Sequence, residues 1–112
     1  MAKVAIPVTG NLLSENFGDC SYYAIYEIDN KDVVGKTKEV PPKKAIMAFS
    51  KWAEDSGISD VIVHGIDKSY VSYFSDTKIN LFVGVNISEP KNLIEEYLNG
   101  TLQSNVKSIS EQ

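Results

Sequence analysis

Residues 57–65 read Gly57-Ile58-Ser59-Asp60-Val61-Ile62-Val63-His64-Gly65. Asp60 to His64 is a short apolar run followed at once by Gly65, the pattern of a strand buried on both faces. Upstream, between Lys43 and Ser56, Ile46, Phe49, Trp52 and Ala53 recur at helical spacing, and Gly57 stands where a helix stops. Downstream, Asp67 is placed to cap a second helix carrying Val71 and Phe74 on one face. A buried strand between two helices requires crossover connections, so it pairs in parallel with its neighbours and the connections are right-handed.

The same rhythm extends in both directions. Ile79 to Val85 is another apolar strand, and Ser88-Glu89-Pro90 opens a last helix with Leu93, Ile94, Tyr97 and Leu98 inward and Asn99-Gly100 as its stop. Towards the N-terminus, Lys3 to Val8 reads as a strand buried on both faces, with Pro7 near its end. Thr9 to Cys20 has loop chemistry throughout. Ser21 to Ile28 and Asp32 to Val40, joined by Asp29-Asn30-Lys31, read as a hairpin whose second member is an edge strand protected by lysines. Pro41-Pro42 ends it. The expected fold is a three-layer α/β/α sandwich with three helices and a five-stranded mixed sheet containing one antiparallel strand. Residues 1–102 form a single domain in this reading, and 103–112 form a loose polar tail.

If the hairpin lies on one side of Lys3–Val8 and Asp60–His64 on the other, the two central strands send their connections in opposite directions. Their C-terminal ends then make a switch-point crevice. Thr9 to Cys20, His64 to Lys68, Val83 to Ser88 and Val40 to Lys44 meet at that mouth.

Composition removes several classes of function. A chain of 112 residues can build a core without staples. A single Cys20 excludes an intramolecular disulfide, and one Cys with one His cannot supply the four ligands of a structural zinc site. All eleven basic residues are Lys, the net charge is −4, and no guanidinium is present for bidentate phosphate recognition, so nucleic acid is not an expected partner. No apolar run approaches the ~18 residues of a membrane span, and no signal segment is evident; no membrane association and a cytoplasmic location are expected.

The two soft side chains fall at the mouth. Cys20 reads either as a soft thiolate metal ligand or as a small semi-buried apolar residue opening a strand. His64 ends a central strand and reads either as a cofactor-facing imidazole or as a hydrogen-bonded strand terminus. Gly10, Gly18 and Gly65 would let backbone amides approach an anion, with Asp67 or Lys68 adding donors at a helix start. The charges at the mouth cancel: Glu15, Asp19 and Asp67 give −3, and Lys43, Lys44 and Lys68 give +3. Affinity for an anionic cluster would therefore have to come from backbone amides, ligand bonds or a partner subunit.

Several segments, in order, resemble the dinitrogenase iron-molybdenum cofactor biosynthesis family. They are Lys3-Val4-Ala5-Ile6-Pro7-Val8-Thr9-Gly10, then Leu13-Ser14-Glu15-Asn16-Phe17-Gly18-Asp19-Cys20 with Ser21 to Tyr26, then Gly57 to Ile66, and Tyr97-Leu98-Asn99-Gly100-Thr101-Leu102. The likeness, which extends to nitrogenase accessory factors and orange-protein-like chains, implies a ribonuclease-H-like fold. It also implies a role tied to nitrogen fixation and cofactor biosynthesis: binding or carriage of a molybdenum- or iron-containing sulfur cluster, or its precursor, in contact with a cofactor-assembly protein. The cofactor-binding set it implies is Thr9, Gly10, Asn16, Phe17, Gly18, Cys20, His64 and Gly65, with Cys20 and His64 as metal ligands. At most two such ligands per subunit would call for backbone amides or sharing across a homodimer.

Two positions depart from the family pattern: Asn16 stands where a His-Phe-Gly triplet would have its His, and Pro41-Pro42-Lys43-Lys44 replaces a Gly- and His-rich loop. These departures favour the alternative of an interaction or regulatory domain that kept the fold and lost the cofactor. An enzyme is not expected. A metal-dependent nuclease would need carboxylates on the central strand, and Lys3–Val8 has none.

Overall fold

The computed structural model describes residues 2–17, 20–40, 46–67, 70–71, 74, 77–102 and 109–110. Its strands are β1 (Ala2–Thr9), β2 (Leu12–Leu13), β3 (Tyr22–Asp29), β4 (Asp32–Glu39), β5 (Asp60–Ile62), β6 (Ile66–Asp67), β7 (Asn80–Phe82) and β8 (Ile109–Ser110). Helix α1 spans Ile46–Asp55 and α2 spans Pro90–Asn99; Tyr70, Val71 and Phe74 also have helical backbone. Gly18, Asp19, Pro41, Pro42, Lys43, Lys44, Lys68 and the side chains of Ile46 and Phe49, all invoked above, lie outside the described residues.

The main sheet runs β4-β3-β1-β5-β7, with β2 on β1. β1 pairs in parallel with β5, and β5 with β7, while β3 is antiparallel to both β1 and β4. The sheet is α/β in character, with six strands rather than the expected five. The extra strand is β2: Leu12 and Leu13 fold back antiparallel on Thr9 and Val8, so β3 is not the one antiparallel member. Gly10 takes φ +66° at the first position of the two-residue turn, which only a glycine adopts without strain. The expected uninterrupted loop from Thr9 to Cys20 is thereby divided.

The hairpin forms as expected. Asn30 and Lys31 have φ of 55° and 71°, the signs a type I′ turn requires at both central positions. A register shift between Glu27 and Ile28 marks a bulge in the pair.

Alternation along the strands sorts the buried residues into two clusters. Ala5, Tyr23, Ile25, Val61 and Val63 join Ala53 of α1, Phe17 and Phe74. Val4, Ile6, Val8, Ala24, Tyr26 and Ile62 join Leu93 and Ile94 of α2. Val4, Ala5, Ile6 and Val8 are all fully inaccessible, because β1 has a strand on either side and a packed cluster on each face. Both helix stops work as read: Gly57 and Gly100 have φ of 77° and 72°, and after Gly100 the Thr101 N–H donates to the Glu96 carbonyl at 2.9 Å.

Asp67 is extended in β6, which follows the pairing of Gly65 with the loop after β1, and Tyr70, Val71 and Phe74 beyond it are helical. One expectation fails. The tail is not loose throughout, since Ile109–Ser110 pairs in parallel with Ile66–Asp67.

Candidate functional site

Three of the segments assigned to the mouth meet as expected, and they meet through their backbones. The Phe17 N–H donates to the Gly65 carbonyl at 2.8 Å, and the Gly65 N–H donates to the Glu15 carbonyl at 3.0 Å. The Gly84 N–H reaches the His64 carbonyl at 2.9 Å, and the Leu13 N–H reaches the Ser88 carbonyl at 3.0 Å. The loop after β1, the segment after β5 and the segment after β7 thus form a closed rim. It sits at the C-terminal ends of parallel strands, where the order reverses between β3 and β5 around β1.

A groove of about 270 Å3 lies on this rim, lined by Thr9, Leu12, Leu13, Ser14, Glu15, Asn16 and Ile87. Thr9 Oγ1 and Ser14 Oγ are 2.6 Å apart, and Ser14 is buried beneath the groove. Leu12 and Ile87 are 45% and 40% exposed, which gives the groove an aliphatic lip. Among the described residues, Glu15 is the one charged side chain in its lining.

His64 is half-buried, and its Nδ1 lies 2.9 Å from the Val85 carbonyl oxygen. A carbonyl can only accept, so Nδ1 carries the proton and the lone pair of the neutral ring resides on Nε2. That is the arrangement of an oriented imidazole ligand. Cys20 is half-buried against the aromatic cluster and interacts with the Tyr23 hydroxyl. Burial, with a further contribution from Cys20, pushes the Tyr23 phenol far above its ordinary range. Cys20 and His64 thus have different immediate partners. Among the described residues, no group of three or more His, Cys, Asp or Glu is placed to hold a metal ion.

The dinitrogenase iron-molybdenum cofactor family model matches residues 1–100. The chain belongs to that family. An uncharacterised protein of Methanocaldococcus jannaschii is 26% identical over 110 residues, covering 92% of this chain and 91% of its own. The crystal structure of PH0822 superposes with a TM-score of 0.83 at 23% identity, over 93% of this chain and 96% of that one. The apo form of the orange protein from Desulfovibrio gigas superposes at 0.74 with 11% identity, over 95% and 94% of the two chains. These two structures share the fold. Among the described residues, no helix is long and apolar enough to cross a membrane.

The family-derived residues divide by what they do in this member. Thr9 and Asn16 line the groove, and Gly10 shapes the turn beside it. Phe17 packs in the aromatic cluster. It is 6% exposed, with its ring centroid 5.8 Å from Phe74, 6.2 Å from Tyr70 and 6.3 Å from Tyr23. Gly65 is not an open amide donor. A Cβ there would lie 2.8 Å from the Glu15 carbonyl oxygen, so the glycine permits two backbones to approach, and its N–H is already bonded.

Sequence reasoning missed a polar cluster at the other end of β5. Asp60 is 5% exposed, and it accepts hydrogen bonds from Ser59 Oγ at 2.7 Å, Tyr97 Oη at 2.9 Å and Asn80 Nδ2 at 3.1 Å. It ties β5 to β7 and α2. Burial and the Asp60 carboxylate push the Tyr97 phenol up to about 12.

Proposed function

We propose that this chain is a non-catalytic binding or carrier protein for a metal-sulfur cargo of the iron-molybdenum type, received at the rim, where Thr9, Ser14 and Asn16 line the groove and His64 lies outside that lining. The observation that carries the reading is the oriented His64. Its Nδ1 is anchored on Val85, at the strand ends where open α/β sheets bind ligands. His64 Nε2 supplies one ligand bond, and Thr9, Ser14 and Asn16 supply neutral polar contacts. Cys20 is the second candidate ligand, reached only if its thiol leaves Tyr23. The fold fits a helix-sheet-helix sandwich of ribonuclease-H-like type, with the two buried clusters under opposite helices. We further propose that the cargo passes to or from a cofactor-assembly protein in the cytoplasm, and that no substrate is turned over.

The test is anaerobic titration of the purified chain with thiomolybdate, alone and with copper. A charge-transfer band that His64→Ala weakens is expected, with Cys20→Ser reporting on the second ligand. Absence of any band overturns the reading. A competing reading, an interaction domain that kept the fold without the cargo, is favoured by the bonded Gly65 amide and the buried Phe17. It predicts a colourless protein that captures a defined partner.

A further inference from the structure

A second groove, of about 350 Å3, lies on the face of the sheet that carries α2. Tyr22, Tyr26, Lys36, Lys38, Glu89 and Lys91 line it, and it shares no lining residue with the rim groove. Its charge follows from register. Lys36 and Lys38 are two apart on β4, so they project to one face, opposite Tyr26 and Ala24 of β3. Ala24 and Tyr26 belong to the cluster under α2, which fixes the face. The Lys36 ammonium lies 5.6 Å from the Tyr26 ring centroid, and the Lys38 ammonium lies 5.0 Å from that of Tyr22. The rings thus hold both ammoniums within the groove's lining.

The third ammonium comes from another element. Lys91 is the second residue of α2, at the positive end of the helix dipole, where a cation is disfavoured. Among the described residues the lining holds three ammoniums and one carboxylate, Glu89, a sum of +2 in a chain whose net charge is −4. Protection of an edge strand accounts for lysines on β4, but it does not account for Lys91 on the helix that walls the same cavity. Like charges gathered in a concave site repel one another, and a multiply charged anion offsets that repulsion.

We propose that this groove binds a compact, multiply charged oxyanion of the phosphate class, such as the diphosphate group of a small molecule. Lysines suit it as rotatable point charges without the planar selectivity of arginine. The proposal does not depend on cargo binding at the rim.

The experiment titrates the full chain with inorganic pyrophosphate at constant ionic strength, followed by calorimetry and by amide and tyrosine-ring shifts. Saturable binding is expected, with shifts concentrated at Lys91, Tyr22 and Tyr26. The paired Lys36→Gln and Lys38→Gln change, and Lys91→Gln separately, should each weaken binding about tenfold. Glu89→Gln, which removes the opposing carboxylate, should tighten it. Lys51→Gln, on exposed surface of α1 outside the groove, should leave it unchanged. Shifts spread over all lysines, equal weakening by Lys51→Gln, or equal displacement by chloride at matched ionic strength would overturn the proposal.

Discussion

Replacing Gly65 by Ala tests whether the rim depends on close backbone approach. The new Cβ would sit 2.8 Å from the Glu15 carbonyl oxygen and 3.4 Å from Asn16 Oδ1. Ordinary carbon-to-oxygen contact begins near ~3.3 Å, so the Glu15 carbonyl must retreat by about 0.5 Å. That carbonyl accepts the Gly65 N–H at 3.0 Å, and a retreat of that size takes the bond to the edge of hydrogen-bond range. The paired bond from Phe17 N–H to the Gly65 carbonyl, at 2.8 Å, is strained with it. Each bond contributes roughly 0.5–1.5 kcal/mol net. The entropic gain of replacing glycine returns about 0.4–1 kcal/mol, so a net loss of about 1–2 kcal/mol is expected. Urea unfolding should show a lower midpoint with an unchanged slope, and the Phe17 and Gly65 amides should exchange faster than those of β1. A Gly65→Ala variant with the parent's midpoint and unchanged exchange at Phe17 would refute the close-approach argument.

Tyr97→Phe removes a donor to the buried Asp60 carboxylate and should cost roughly 1.5–3 kcal/mol, read as a urea midpoint shift with intact secondary structure. The Tyr97 phenol is held at about 12 against an ordinary 10, so the folded state keeps its proton longer. Its stabilisation is therefore complete below pH 10 and lost as pH rises through 12, and the Phe variant should show a shallower alkaline loss of stability. Phe17→Ala should cost about 3–5 kcal/mol, because the ring is packed by Tyr23, Tyr70 and Phe74. A cost below about 1 kcal/mol in the same denaturation assay would show that the side chain belongs to the mouth after all.

The fold was legible wherever a period or a stereochemical demand was written into a continuous segment. β1 announces double burial by its apolar run, and the β3–β4 hairpin by two strand-like runs joined at Asp29-Asn30-Lys31. β2 was invisible because two residues carry no period; it exists through its pairing with Val8 and Thr9. β6 was invisible for the same reason, since Ile66 and Asp67 are strand only through their pairing with Ile109 and Ser110. The site was legible in place more than in role. Switch-point reasoning located the rim, yet a glycine read as a bare amide proved to be a point of close approach, and Phe17 proved to be core. The Asp60 cluster joins residues 20 and 37 positions away, so no local pattern signals it.

The rim's own bonding limits how one chain can hold a metal-sulfur cargo. The Phe17, Gly65 and Gly84 amides are already committed to carbonyls within the rim, so they are not available as an anion cradle. Glu15 adds a negative charge to the groove, which opposes an anionic cargo. Among the described residues, what remains per chain is His64 Nε2, neutral hydroxyl and amide contacts, and Cys20 if it leaves Tyr23. A cluster with several metal positions is then better satisfied by two imidazoles than by one, and the exposed Leu12 and Ile87 at the groove's lip give a second chain apolar surface to meet. Thiomolybdate with copper should therefore drive the chain from monomer to dimer in sedimentation, with His64→Ala abolishing the dimer and weakening the absorption band. A band that forms at full intensity on a species sedimenting as one chain would show that a single subunit suffices, and would move the missing ligation to Cys20.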